Sequence, residues 1–199
     1  DDKVLKVLLA NKVGDGTGIT TEQAAAVTSI RTWFKDSDIT EFNELRKFSG
    51  ITILQTGAFA NCEFLQSISL PINLTTISDG NVGNLTYQPG VFYNCSALKT
   101  VELHEGLIKI GTSCFQNCAI LNGVSLPTSL QNIGANAFYN CSELEIEIPK
   151  QNNLISIGSS AFMNTKLTGS VNLPALTTIG TSAFKASEIV NIESLGKIT

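Results

Sequence analysis

The chain has 199 residues, 43% of them hydrophobic and 15% charged, enough to bury a sizeable core and too apolar for a disordered segment. A formal net charge of -4, a pI near 5.0 and scattered Lys and Arg make no basic stripe that could neutralise phosphates, which sets nucleic acid and anionic membrane aside as partners. The longest apolar stretch, residues 7–10, falls far short of the roughly 20 residues that cross a bilayer.

No signal peptide opens the chain, and Asp1-Asp2-Lys3 reads as the start of a mature or trimmed protein. Residues 3–10 and 21–26 are predicted as two short helices, the second with Thr20 as N-cap and Gln23 three residues on, the spacing of a capping box. Between them, residues 11–22 resemble an EF-hand or dockerin-like calcium loop, with Asp15, Gly16 and Glu22 at its positions 5, 6 and 12. Val13 stands at position 3 and Gly18 at the usual apolar position 8. Calcium needs six or more oxygens, so the loop is expected to be degenerate and to hold no metal. Residues 1–32 are expected to form a small helical cap over the first coil of the chain from residue 33 onward, because an uncovered coil would present open strand edges and core leucines.

That longer part of the chain repeats. Phe59, Phe92, Phe115, Phe138, Phe162 and Phe184 recur at spacings of 33, 23, 23, 24 and 22 residues. Four of them sit in near copies of one phrase, from Ala58-Phe59-Ala60-Asn61-Cys62 to Ala137-Phe138-Tyr139-Asn140-Cys141, each followed by Leu65, Leu98, Leu121 or Leu144. In the last two copies Thr165 and Ser187 replace the cysteine. Short alternating runs follow: Ile68-Ser69-Leu70, Val101-Glu102-Leu103, Val124-Ser125-Leu126, Ile146-Glu147-Ile148 and Val171-Asn172-Leu173. Period two predicts strands. A second extended phrase, as in Leu130-Gln131-Asn132-Ile133-Gly134, ends on a glycine expected to turn a corner with positive φ. Stepping back 23 residues from Leu65, Ile68, Leu74 and Ile77 lands on Phe42, Leu45, Ile51 and Leu54, so the register is expected to begin near Trp33. No coil can bury its leucines alone, so neighbours must stack. Six or seven coils of roughly 23 residues at about 4.8 Å each make a solenoid about 30 Å long.

The consensus read from Leu121 through Cys141 resembles the BspA-type leucine-rich repeat of bacterial surface proteins. That resemblance implies an α/β fold: a right-handed solenoid of parallel short strands in a secreted or surface-anchored protein that adheres to host or bacterial macromolecules. The last coil breaks off at Ile198-Thr199, from which the natural protein is expected to be longer.

Chemistry-bearing residues read mainly as structure. Cys62, Cys95, Cys118 and Cys141 share one repeat position and are expected as buried free thiols, since parallel Cβ vectors point past each other; Cys114 fills an alanine slot. The repeat asparagines are expected to bond the turns of neighbouring coils. His104, the single histidine, occupies a strand-end position where proline is usual, without a nucleophile and orienting group. No catalytic site, metal site or cofactor is predicted. Binding is expected along the outward strand positions Ser69, Glu102, Ser125, Glu147 and Asn172, a small, polar, mildly acidic row. Residues 79–88, a ten-residue insertion carrying Asn81, Asn84 and Tyr87, form the first candidate for a specific contact. Tyr93 and Tyr139 are weaker candidates. The function expected is non-catalytic adhesion or protein binding, with a scaffold that presents another domain as the alternative. The sequence leaves the oligomeric state open.

Overall fold

The computed structural model describes residues 1–15, 18–80, 88–150 and 152–197, with backbone alone at 189–194. Two helices open the chain: α1 (Asp2–Ala10), capped by the Asp1 carboxylate on the Lys3 N–H, and α2 (Thr21–Ala26). The Thr20 capping box closes on both sides, Gln23 N–H to the Thr20 hydroxyl and Thr20 N–H to the Gln23 side-chain oxygen. Val4 and Leu8 of α1 and Ala24 of α2 are buried in the same core as Phe42 and Phe48 of the first coil. Val13, where a calcium loop needs an oxygen, is buried with them. Among the described residues no His, Cys, Asp and Glu group could hold a metal ion.

The remainder winds as a solenoid with parallel strands on two sides. On one side β2 (Ile53–Leu54), β4 (Thr76–Ile77), β6 (Lys109–Ile110), β7 (Asn132–Ile133), β9 (Ser156–Ile157) and β11 (Thr178–Ile179) form one parallel six-stranded sheet, a strand per coil. On the other side β1 (Glu41–Phe42), β3 (Ser67–Ser69) and β5 (Thr100–Glu102) form one sheet, and β8 (Glu145–Ile146), β10 (Lys166–Leu173) and β12 (Glu188–Leu195) another. Most of the short strands aim one buried residue inward: Leu54, Ile77, Ile110, Ile133 and Ile157 on the first side, Phe42, Ile68 and Val101 on the second.

The arc that joins the two sides is held by three columns. Phe34, Phe59, Phe92, Phe115, Phe138, Phe162 and Phe184 stack ring on ring, centroids 5.1 to 5.8 Å apart and interplanar angles 1 to 17°. Phe34 thus carries the column one coil beyond the six phenylalanines that share the repeat phrase. Two residues after each, Asp36, Asn61, Asn94, Asn117, Asn140, Asn164 and Ala186 adopt positive φ, a conformation asparagine and aspartate tolerate better than most side chains. The asparagine amides bond one another rather than the turns. Each donates its Nδ2 to the side-chain oxygen of the preceding coil, from Asn164 to Asn140 at 2.8 Å down to Asn61 on Asp36 at 2.8 Å. The third column is thiol: Cys62, Cys95, Cys118 and Cys141 donate to the carbonyls of Phe34, Phe59, Phe92 and Phe115 at 2.9 to 3.2 Å. Thr165 and Ser187 instead donate to carbonyls of their own coil, Phe162 and Phe184. All five cysteines are free and buried.

Four further expectations change. First, the corner glycines Gly111, Gly134, Gly158 and Gly180 do not have positive φ. A Cβ on any of them would overlap the main chain of Ser78, Thr112, Ala135 or Ser159 in the preceding coil, so close approach is what requires glycine. Second, Phe42 pairs with Ile68, not with the position of Leu65, while Leu54 pairs with Ile77 as a step of 23 requires. The 3-10 helix Asn43–Lys47 takes up the three extra residues of that coil. Third, Val124-Ser125-Leu126 forms no strand, and only a bridge from Thr100 to Gly123 reaches this coil. Arc length varies along the solenoid: nine residues separate Phe59 from Ile68, Phe92 from Val101 and Phe115 from Val124, but eight separate Phe34 from Phe42 and Phe138 from Ile146, and five Phe162 from Leu167. Fourth, β10 pairs with β8 through Leu167 and Ile146, which places Thr168 beside Glu147 and moves Asn172 four residues along, out of the predicted row.

Candidate binding face

The outward side chains of β3 and β5 face solvent because their neighbours in sequence, Ile68 and Val101, are taken inward by the period-two alternation. Ser69 lies opposite Glu102 in the pairing, and Ser67 opposite Thr100. Asn43 spans the first two coils, donating to the Ser67 hydroxyl at 3.3 Å and accepting from Ser69 at 3.5 Å. Asn43, Ser69, Thr100 and Glu102, together with Gly123 and Ser125, line a shallow hollow of about 330 Å³. Glu102, Ser125 and Glu147 are exposed, whereas Ser69 is half-buried behind Asn43. The structure therefore brings Ser69, Glu102 and Ser125 to one hollow, leaves Glu147 beyond the break in the sheet, and separates Asn172. The Asn172 carbonyl accepts from Asn152 Nδ2 at 2.8 Å, which fixes the end of β10.

Past the break, charge gathers around Lys166. Its ammonium meets Glu143 at 2.6 Å, and that hydrogen bond, with Glu145 and Glu188 nearby, raises its pKa above the ordinary lysine range.

Asn81, Asn84 and Tyr87 fall outside the described residues. The root of their insertion is described, and it stands at the rim of the six-stranded sheet rather than at the hollow. The Asp79 carboxylate pairs with Lys109 and accepts from the Thr112 N–H at 2.9 Å and its hydroxyl at 3.1 Å, while Gly80 N–H bonds the Thr112 carbonyl at 2.8 Å. Burial disfavours the charged Asp79, but Lys109 and Thr112 outweigh it and hold the carboxyl below the usual aspartate range. No spacing in the sequence marks this clamp, because its members sit one coil apart. Asn43 and Thr100 were equally hidden: one lies in the coil with three extra residues, the other one residue before its predicted strand.

The groups that could do chemistry are committed elsewhere. His104 is half-buried, and both ring nitrogens face main-chain carbonyls, Nδ1 that of Glu105 at 2.9 Å and Nε2 that of Pro71. Burial pushes the thiols of Cys95, Cys114, Cys118 and Cys141 well up, away from the thiolate form a nucleophile needs.

The repeat register and the stacked coils now meet the comparison that decides the family: the model of the BspA type leucine rich repeat region matches in six copies over residues 25–87 and 85–199. The chain belongs to the BspA-type leucine-rich-repeat family. A leucine-rich-repeat protein of T. pallidum is 26% identical with a TM-score of 0.51, over 66% of this chain and 53% of that one. A leucine rich cell surface protein of Faecalibacterium prausnitzii A2-165 is 24% identical, also at a TM-score of 0.51, over 73% of this chain and 38% of that one. This BspA-type chain thus spans about half, or less, of those structures. No curated protein matches it. No helix among the described residues is long and apolar enough to cross a membrane.

Proposed function

We propose that this BspA-type solenoid is a non-catalytic, extracellular protein-binding or adhesion module, secreted or held at a cell surface, whose partner is a host or bacterial surface or matrix protein. The observation that carries the reading is the open hollow of Ser69, Thr100, Glu102 and Ser125, continued by exposed Glu147: a polar, mildly acidic surface built by successive coils. Solenoids use such repeat-built surfaces for extended contacts. The committed nitrogens of His104 and the raised thiols of Cys95, Cys114, Cys118 and Cys141 support a non-catalytic role. A mildly acidic face favours partners that present Lys and Arg, with the rim charges acting mainly on encounter rate. Asn81, Asn84 and Tyr87 belong to the proposal as a second contact, on the insertion rooted at Asp79, and Asn172 as a peripheral one.

The test is capture from matrix and bacterial-surface extracts with the intact chain, a Glu102→Lys/Glu147→Lys variant, and a chain whose residues 79–88 are replaced by a short turn. A specific partner lost on charge reversal assigns the hollow, and one lost with the insertion assigns the loop. No partner for any version, with all three folded, favours a spacer that presents another domain.

A further inference from the structure

Asn122-Gly123 is the one Asn-Gly pair in the sequence, and the fold leaves it open. The pair lies where the sheet breaks, outside any strand, with both residues exposed. Asn122 N–H and Gly123 N–H share a single acceptor, the Lys99 carbonyl, at 3.0 Å each. The Asn122 side chain makes no hydrogen bond among the described residues, so its amide is free to turn toward the next main-chain nitrogen. Gly123 adds no side chain to screen that nitrogen, and a Cβ there would meet the Thr100 methyl at 2.5 Å and displace it. The ladder asparagines and Asn73, Asn152 and Asn153 differ in how their amides are held. Those of the ladder are held by their neighbours and followed by Cys or Thr. Asn73, Asn152 and Asn153 donate their amides to the main chain at Ser49, Pro149 and Asn172, and Thr128.

We propose that Asn122 is a site of spontaneous self-modification in the folded protein, passing through a succinimide to aspartate and isoaspartate. The Gly123 nitrogen attacks Cγ of Asn122 and forms the new N–Cγ bond as the Cγ–Nδ2 bond breaks. The proton of the attacking amide leaves with the departing group as ammonia. Water then opens the ring: cleavage at Cγ returns a normal aspartyl link, and cleavage at the main-chain carbonyl leaves an isoaspartyl link with an extra methylene in the backbone. Either product places a new carboxylate beside the hollow that Gly123 lines with Glu102 and Ser125. The isoaspartyl product also lengthens the chain at the Thr100 to Gly123 bridge, loosening the one strand-like tie between the β1-β3-β5 sheet and this coil. The binding face therefore grows more acidic and its break widens as the protein ages.

The test is incubation of the folded protein at mildly alkaline pH, followed by peptide mass mapping and isoaspartyl methyltransferase labelling, alongside the same chain in denaturant and an Asn122→Gln variant. The expected result is amide-to-acid conversion concentrated at residue 122, methyltransferase labelling that the variant lacks, and a folded-state rate within about tenfold of the denatured one, as local opening without global unfolding allows. Conversion at 122 in denaturant but not in the folded protein, or conversion spread equally over the ladder asparagines, overturns it.

Discussion

Gly134 shows how one atom is excluded from this fold. Its Cβ would overlap the main chain at Thr112 in the coil before, with neither side free to move, since Gly134 N–H bonds the Ile110 carbonyl and its neighbours continue the six-stranded sheet. Gly134→Ala should cost roughly 3 kcal/mol or more, the range of overpacking a rigid site, read as a fall in denaturation midpoint. A loss under about 0.5 kcal/mol, the scale of a neutral surface change, would mean the coils can separate to admit a methyl. Asp79 gives a pH-dependent case. Its carboxyl is held below the ordinary value, so its contribution is present above about pH 4 and lost as pH falls through the lower folded value. The group is 47% exposed, so the amount is under about 1 kcal/mol after screening. In Asp79→Asn the acid limb of the stability profile should flatten slightly, and an unchanged limb would assign Lys109 and Thr112 no net grip on the charge.

The asparagine ladder couples two separate effects at each rung. Asn117 adopts φ 65° and bonds Asn94 on one side and Asn140 on the other. Asn117→Ala loses both bonds and puts a poorly suited residue in left-handed backbone, together about 2 to 3 kcal/mol. Asn117→Gly restores the backbone and loses only the amides, so it should be milder by about 1 kcal/mol. Equal losses from chemical denaturation of the two variants would show that backbone strain plays no part. The ladder also marks what the sequence made legible. The phrase Phe-x-Asn-Cys recurs in register, and from it the stack, the buried thiols and the parallel strands could all be anticipated, because each depends on residue type at one fixed repeat position. What could not be read was how adjacent coils meet: the shortening arc after Phe138 and Phe162, the break at Gly123, the extra residues absorbed by Asn43–Lys47. Those features arise from pairing between coils, and period two looks the same in Val124-Ser125-Leu126 whether or not a partner strand lies beside it. The row of candidate side chains inherited that error at Asn172, while Ser69, Glu102 and Ser125 lie along one hollow.

At the scale of the whole molecule a solenoid is a sum of coils and their interfaces, and its first interface needs a cover. Here α1 and α2 supply it: Val4, Leu8 and Ala24 close over Phe42 and Phe48, with Ile30 and Phe34 buried beneath. Two further ties fix the cap. The Asp1 carboxylate accepts from the Thr40 N–H at 2.7 Å and its hydroxyl at 2.9 Å, and Lys3 pairs with Asp38 at 2.8 Å. The exposed ion pair adds little, so the cover is mainly apolar burial, worth about 25 cal/mol per Å² removed from water. Removal of residues 1–29 should therefore leave the distal coils wound but expose Phe34, Phe42 and Phe48 at an open strand edge. The expected outcome is self-association in light scattering and binding of a hydrophobic dye, with the β signature of the circular dichroism retained. A Thr20→Ala variant, which loses a helix cap worth about 1 kcal/mol, should move the same readouts only on warming. A truncated chain that stays monomeric and binds no dye would show that the first coil closes itself and that the helices serve another purpose.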